Sequence, residues 1–229
     1  MKRFRWTLLM LVLALAVTSN VLAAPKEGHE LQKITFVHYR DPHGKPAPRS
    51  TGEDATDYKL ISGGVKLAGP VTYKIVDRLG IPKGAAAAIL AATQEWNDVT
   101  GTDPFGAEDK ADLLTTKNVL TWGSLQPNVI AVTYMYYWTK TKTMDYFEIT
   151  FNNNDDYAWS GQEACPSGEM DLRNIATHEL GHALGLSDLY AIRDSELTMY
   201  GYSDVGETKK RGLGAGDILG AQKLYGTQP

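Results

Sequence analysis

Between residues 71 and 151 the spacing of apolar positions changes period. Residues 71–76 alternate in the two-residue repeat of a half-buried strand. Pro82 then suits the first turn of a helix, and Ala85, Ile89, Ala92, Trp96 and Val99 recur at steps of four and three. That spacing draws one apolar stripe along a helix reaching about Val99, and Gly101 supplies its stop signal. A strand followed directly by a helix predicts a crossover and a partly parallel sheet. Three further strands are expected at about 118–122, 129–138 and 144–151. The polar run 152–156 that closes the last is read as a turn in preference to a calcium loop, because Asn and Asp are the usual turn residues. No Asp/Asn loop has the ligand spacing of an EF-hand, so Ca2+ has no direct support.

Upstream the pattern loosens. Residues 34–39 read as one short strand, with β-branched and aromatic side chains. Residues 41–57 are rich in Pro, Gly, Ser, Thr and charge, the composition of a loop or linker, and 58–67 read as a weak strand or turn. At the start, Lys2, Arg3 and Arg5 precede an apolar run from Trp6 to Val17, and Val21-Leu22-Ala23 offers a cleavage site before Ala24. This is the layout of a secretory leader. The run is short for a bilayer span of about 20 residues, so export with cleavage is expected in place of a retained membrane anchor. Three segments follow: a leader at 1–23, an N-terminal segment at 24–69 that is a candidate propeptide, and a folded domain at 70–229.

The chemistry is concentrated in residues 178–188, His-Glu-Leu-Gly-His-Ala-Leu-Gly-Leu-Ser-Asp. His178 and His182 are four apart, which puts both imidazoles on one helix face. Such a pair can bind one zinc ion, with Glu179 beside it as general base. Leu172, Ala176, Leu180 and Ala183 gather on the opposite side, so one face is expected in the core and the other at a cleft. Ser167 or Asp171 can cap the helix start. A third ligand six residues past His182 reaches the same metal only if the helix stops, and Gly185 accepts the conformation that stops it. Asp188 then offers a carboxylate, and two His, one Asp and a water make a tetrahedral site with one open position. Tyr190 and Asp194 stand nearby as other donors, with Glu196 or Glu207 further on.

Composition narrows this further. The chain has 229 residues, 43% hydrophobic and 22% charged, which is globular composition. A formal net charge of −4 gives no reason to expect nucleic acid. Cys165 is the single cysteine, so an internal disulfide and Cys-rich zinc modules are excluded, and it is expected as a partly buried free thiol. The five histidines are at 29, 38, 43, 178 and 182, and the first three are expected to be solvated. The chain can therefore build few transition-metal sites.

The 178–188 run resembles the extended zinc motif of the metzincins, in particular their matrixin branch, with Asp188 where many members have a third His. Met199 within 196–200 resembles the methionine turn of that family, and Tyr202 the tyrosine of the wall beside its specificity pocket. Residues 217–226 are similar to its C-terminal helix signature, 71–96 to its first strand and helix, and 129–137 to its edge strand. The resemblance spans about residues 70–226. It implies an α+β fold with α/β/α-like layering: a twisted, mostly parallel sheet with one antiparallel edge strand, an active-site helix, a Met-turn and a C-terminal helix. It also implies a secreted endopeptidase with one catalytic Zn2+ held by His178, His182 and Asp188, acting on an extended peptide or protein laid along the edge strand. No nucleic-acid partner and no stable membrane anchor are expected, and the chain is read as a monomer. The family's structural zinc has no ligands here, since no His lies between 44 and 177, and residues 24–69 lack the cysteine of its latch; if they are a propeptide, latency uses another ligand or none, with His29, His38, His43 or an Asp as substitutes, each expected to be solvated instead. Two other classes stay open: a silent binding module, against which Glu179 argues, and a zinc amidase on non-protein substrates, which the absence of an obvious wall-binding repeat disfavours.

Overall fold

The computed structural model describes residues 30–41, 56–76, 81–110, 117–154 and 156–228. The expected leader, at 1–23, lies outside them. In chain order the strands are β1 (Leu31–Arg40), β2 (Val71–Val76), β3 (Phe105–Glu108), β4 (Val119–Gly123), β5 (Val129–Trp138), β6 (Thr143–Asn152), β7 (Trp159–Ser160), β8 (Met170–Asp171) and β9 (Tyr202–Ser203). The α-helices are α1 (Ala85–Asn97), α2 (Leu172–Leu184) and α3 (Ala215–Tyr225). The main sheet runs β3-β2-β4-β6-β5-β1-β9. Its ladders are parallel except where β5 meets β6 and β1. This is a mixed α/β architecture with a mostly parallel sheet and, among the described residues, three α-helices, consistent with the metzincin fold that the resemblance implies.

The helix expected from Pro82 begins at Ala85, because Gly84 takes φ 87° and packs against the Gly161 backbone. The short strand β3 has little apolar pattern of its own. Asn97 holds it from the side: its Nδ2 donates to Phe105 O at 2.7 Å and its Oδ1 accepts from Phe105 N at 3.1 Å. In the 58–67 region the weak strand or turn is a 3-10 turn at Ile61–Gly63. Ile61, Val65 and Leu67 are buried in the same core as α1, α2, β5 and β6. At the end of β6, Asn152 organises the turn with its side chain, donating to Val129 O at 2.7 Å and accepting from Leu125 N at 3.1 Å. No helix among the described residues is long and apolar enough to cross a membrane.

One feature departs from the expected sheet. β5 is the antiparallel strand, but its outer side is not an edge. β1 pairs along it from Leu31↔Trp138 to Tyr39↔Val129, and β9 lies beyond β1. The β-branched and aromatic residues at 34–39 make a strand as expected, but its partners, from Met135 opposite Ile34 to Val129 opposite Tyr39, lie far downstream, a distance no local pattern reports.

α1 and α2 meet through Trp96, whose Nε1 donates to Thr177 O at 2.9 Å. Gly181 lets them approach: a Cβ there would meet the Met199 sulfur and lie 2.8 Å from Trp96 Cζ2. Helix propensity alone favours Ala over Gly by about 1 kcal/mol. Overpacking against a fully buried indole costs roughly 1–3 kcal/mol and outweighs it. Gly181→Ala should therefore lower the denaturant midpoint, by about 1 kcal/mol of net stability; a higher midpoint would show that the contact relaxes freely.

Candidate metal centre

Local chemistry sets both ends of α2. Asp171, in extended conformation, caps the start by accepting from Asn174 N at 2.7 Å; Ser167, the other capping candidate, is not in that position. At the far end Gly185 takes φ 123° and donates to His182 O at 2.9 Å. A Cβ at Gly185 would collide with Val65 O, so any larger residue is excluded twice over. The chain then turns back. Ser187 N bonds Lys59 O at 2.8 Å and Leu189 N bonds Met199 O at 2.9 Å, which returns Asp188 to the helix face carrying the histidines.

His178 Nδ1 donates to Thr198 O at 2.7 Å, and His182 Nδ1 donates to Leu186 O at 2.8 Å. A carbonyl only accepts, so both Nδ1 atoms carry protons and both Nε2 atoms present lone pairs. Asp188 Oδ1 lies 3.2 Å from His178 Nε2 and 3.4 Å from His182 Nε2. His178 Nε2 and Asp188 Oδ1 are buried with no hydrogen-bond partner. When both imidazoles are neutral these lone pairs repel unless a cation joins them, either a metal ion or the proton that His182 takes up beside Asp188. Two imidazole nitrogens and a carboxylate oxygen are a zinc donor set, so the residues present fit the metal. Tyr190 Oη donates to Asp188 Oδ2 at 3.2 Å and so orients the carboxylate from outside. The other donors are engaged elsewhere: Glu207 with Asn174 and Ser203, and Glu196 with Lys209. Asp194 belongs to neither cluster of potential metal ligands found among the described residues.

Burial governs the charges. It pushes His178 down to about 4 and Glu179 up to about 7. Burial also pulls on His182, but the negative charge and hydrogen bond of Asp188 overcome it and hold that imidazole above its ordinary value. For Asp188 burial acts upward, yet the two histidines keep it far below the usual carboxylate range.

Glu179 is fully buried, against the expectation of a cleft-facing side chain. Its Oε2 accepts from Thr133 Oγ1 at 2.6 Å, and its Oε1 accepts from His38 Nδ1 at 3.0 Å. The expectation that His38 is solvated is overturned: it is 1% exposed. Pairing of β1 with β5 turns its alternate residues toward α2, so Phe36 stacks on His182 at 4.0 Å and His38 on His178 at 3.9 Å. The sequence reading does not mark Thr133, and it names His38 only among substitutes for the family's latch cysteine. Their only signal is strand alternation, which identifies a face without saying what it meets.

Behind the site, Met199 is buried beneath α2. Asp217 of α3 holds its turn, accepting from Thr198 N at 2.7 Å, Met199 N at 3.0 Å and Gly214 N at 2.9 Å. Tyr202 is half-buried on β9, edge-on to Tyr190 at 5.5 Å. Lys210 shapes that segment from inside: fully buried, it donates to Tyr200 O, to Tyr202 O at 2.6 Å and to Ser203 Oγ at 2.9 Å. Burial pushes its ammonium down to about 8. No spacing in the sequence singles out Lys210. Cys165 is half-buried and free, with burial pushing its thiol up to about 11, which makes it a poor nucleophile.

The matrixin family of peptidases matches residues 128–226 of the chain. That stretch contains β5, α2, the Met199 turn and α3. Among curated proteins, matrix metalloproteinase-17 of Homo sapiens is 37% identical over 75 residues, which is 33% of this chain and 12% of that protein. Metalloendoproteinase 4-MMP of Arabidopsis thaliana is 36% identical over 75 residues, 33% of this chain and 21% of that protein. The matched stretch is thus a small part of either relative.

The raised affinity of His182 for a proton has a sign that zinc binding reads out. Its ion pair with Asp188 stabilises the metal-free protein fully below pH 6.5 and is lost as pH rises through the raised value. Zinc must displace that proton, so its affinity falls as pH falls, by roughly tenfold per unit below that value. Chelator competition between pH 8 and pH 5 checks this, and a flat affinity would exclude histidine ligation.

Proposed function

We propose that the protein is an exported zinc endopeptidase of the matrixin type. The observation that carries the reading is the convergence of His178 Nε2, His182 Nε2 and Asp188 Oδ1, with the Glu179 carboxylate on the adjoining turn. His178, His182 and Asp188 hold the ion, with Asp188 as the third ligand. When bound, zinc supplies the Lewis acidity that polarises a peptide carbonyl and acidifies water. Glu179 takes the proton from the attacking water and returns it to the leaving amine. Its buried position, which raises its proton affinity to about 7, matches that two-way role near neutral pH. Thr133 fixes the Glu179 carboxylate by donating to Oε2, while Oε1 is engaged by His38 Nδ1.

The substrate is an extended peptide. The Tyr202 segment, braced by Lys210, forms one wall for a side chain, and main-chain pairing along β5 is open to a peptide only where β1 gives up its ladder. Residues 1–23 act as the export leader and 70–229 as the catalytic domain; any removal of the N-terminal segment 24–69 stops before Lys59, because Ile61, Val65 and Leu67 are buried in the core and Lys59 O receives Ser187 N beside Asp188.

Glu179→Gln keeps the metal ligands and removes the base. The variant should retain about one zinc per chain and cleave casein, followed over hours, with kcat lower by about 10²–10⁴-fold. A variant that cleaves as fast as wild type would overturn the proposal.

A further inference from the structure

The buried ammonium of Lys210 has no part in the metal cluster, yet the chain builds a complete set of partners for it. Its Nζ donates to Tyr200 O, to Tyr202 O at 2.6 Å and to Ser203 Oγ at 2.9 Å. An ammonium has three protons, and here three oxygens receive them. Ser203 Oγ in turn donates to Glu207 Oε1 at 3.0 Å. That carboxylate oxygen also accepts from Asn174 Nδ2 at 3.3 Å and lies 4.0 Å from Lys210 Nζ. Asn174 closes the circuit from α2, its Oδ1 accepting from Lys210 N at 2.7 Å. Lys210, Ser203, Asn174 and Glu207 are all buried.

An apolar side chain of the same length would fill that space at less cost, because burial opposes the charge on Lys210. What the ammonium adds is a hold on the carbonyls of residues 200 and 202, which point into the protein. Ser203 O points the other way, toward the chain after β1, where it accepts from Asp41 N at 2.9 Å. Segment 200–203 therefore keeps the half-buried Tyr202 and one main-chain acceptor outward. Asn174 stands one helical turn before His178 on α2. One helix thus carries two donors of the metal cluster and the anchor of the wall.

Resting on the endopeptidase reading above, we propose that Lys210 is a positioning residue for the substrate: with Glu207 and Asn174 it fixes segment 200–203 against α2 and so sets which peptide side chains the Tyr202 wall accepts. None of its hydrogen bonds reaches Glu179 or a donor of the metal cluster. Its loss therefore falls on peptide binding and selectivity in place of the chemical step.

Lys210→Met keeps the length of the side chain and removes its three donors. The zinc-loaded variant should cleave a short peptide with KM raised about tenfold and kcat within about threefold of wild type, the signature of lost uniform binding. In casein digests read by mass spectrometry it should cut beside more kinds of side chain than wild type does. A loss of stability alone lowers the folded fraction, and with it the apparent kcat, but leaves KM and the cut sites as they were. A folded variant with unchanged KM and unchanged cut sites would overturn the role. Wild type supplies a check that needs no variant. A neutral amine has two protons for three oxygens, so one acceptor is released as pH rises through about 8. The groups that face Lys210 are Glu207 and Lys209 from its own segment, Tyr200 from the wall, His178 and Glu179 from α2, His38 from β1, Asp188 from the turn after α2 and Asp217 from α3. KM should rise by about threefold or more between pH 7 and pH 9.5 in wild type and stay level in Lys210→Met. A flat wild-type profile would overturn the role whether or not the variant folds. A chain that takes up no zinc, or that cuts neither substrate, overturns the endopeptidase reading instead.

Discussion

Two hydrogen bonds set the geometry on which the rest of the site depends. Thr198 O and Leu186 O hold the Nδ1 atoms of His178 and His182, and that fixes both Nε2 atoms toward Asp188. Each carbonyl is itself positioned by a separate constraint. Leu186 follows Gly185, whose positive φ ends α2 and is protected by the close approach of Val65 O. Thr198 sits in the Met199 turn, which Asp217 of α3 ties down through three main-chain N–H groups. Convergence of the three donor atoms, helix termination and docking of the C-terminal helix are therefore one coupled arrangement. Loss of the Asp217 carboxylate would orphan three donors at once, at a cost of about 1–3 kcal/mol for each left buried.

The electrostatics follow from the same enclosure. Burial alone would neutralise every group in the cluster, and it does so for His178 and Glu179. Asp188 and His182 escape because each supplies the other's countercharge. A buried ion pair is a poor source of stability when weighed against apolar packing. Its persistence here, beside unpartnered ligand atoms, is better explained by a cation that replaces the proton.

What the sequence disclosed was local. His178, Glu179, His182, Gly185 and Asp188 lie within eleven positions, so helical periodicity and one glycine place them together. The strands at 119–123, 129–138 and 143–152 were legible to within a residue or two for the same reason. Thr133 and His38 were not, because each reaches Glu179 through strand register across 46 and 141 residues. Lys210 was hidden for a different reason: a lysine is normally solvated, and only the three-dimensional path of residues 200–203 supplies oxygens to receive it. The pairing of β1 with β5 and β9 was hidden in the same way as the reach of Thr133 and His38. The strand character of β1 was plain, but nothing local names β5 and β9 as its neighbours.

The central claim is the position of the metal. Diffraction data collected on both sides of the zinc absorption edge, from crystals of the zinc-loaded chain, locate it without assumption about ligands. The account predicts one anomalous peak bounded by His178 Nε2, His182 Nε2 and Asp188 Oδ1, at about 2.0–2.2 Å from each. A peak elsewhere in the molecule, or a zinc-loaded chain with no peak at this cluster, would contradict it.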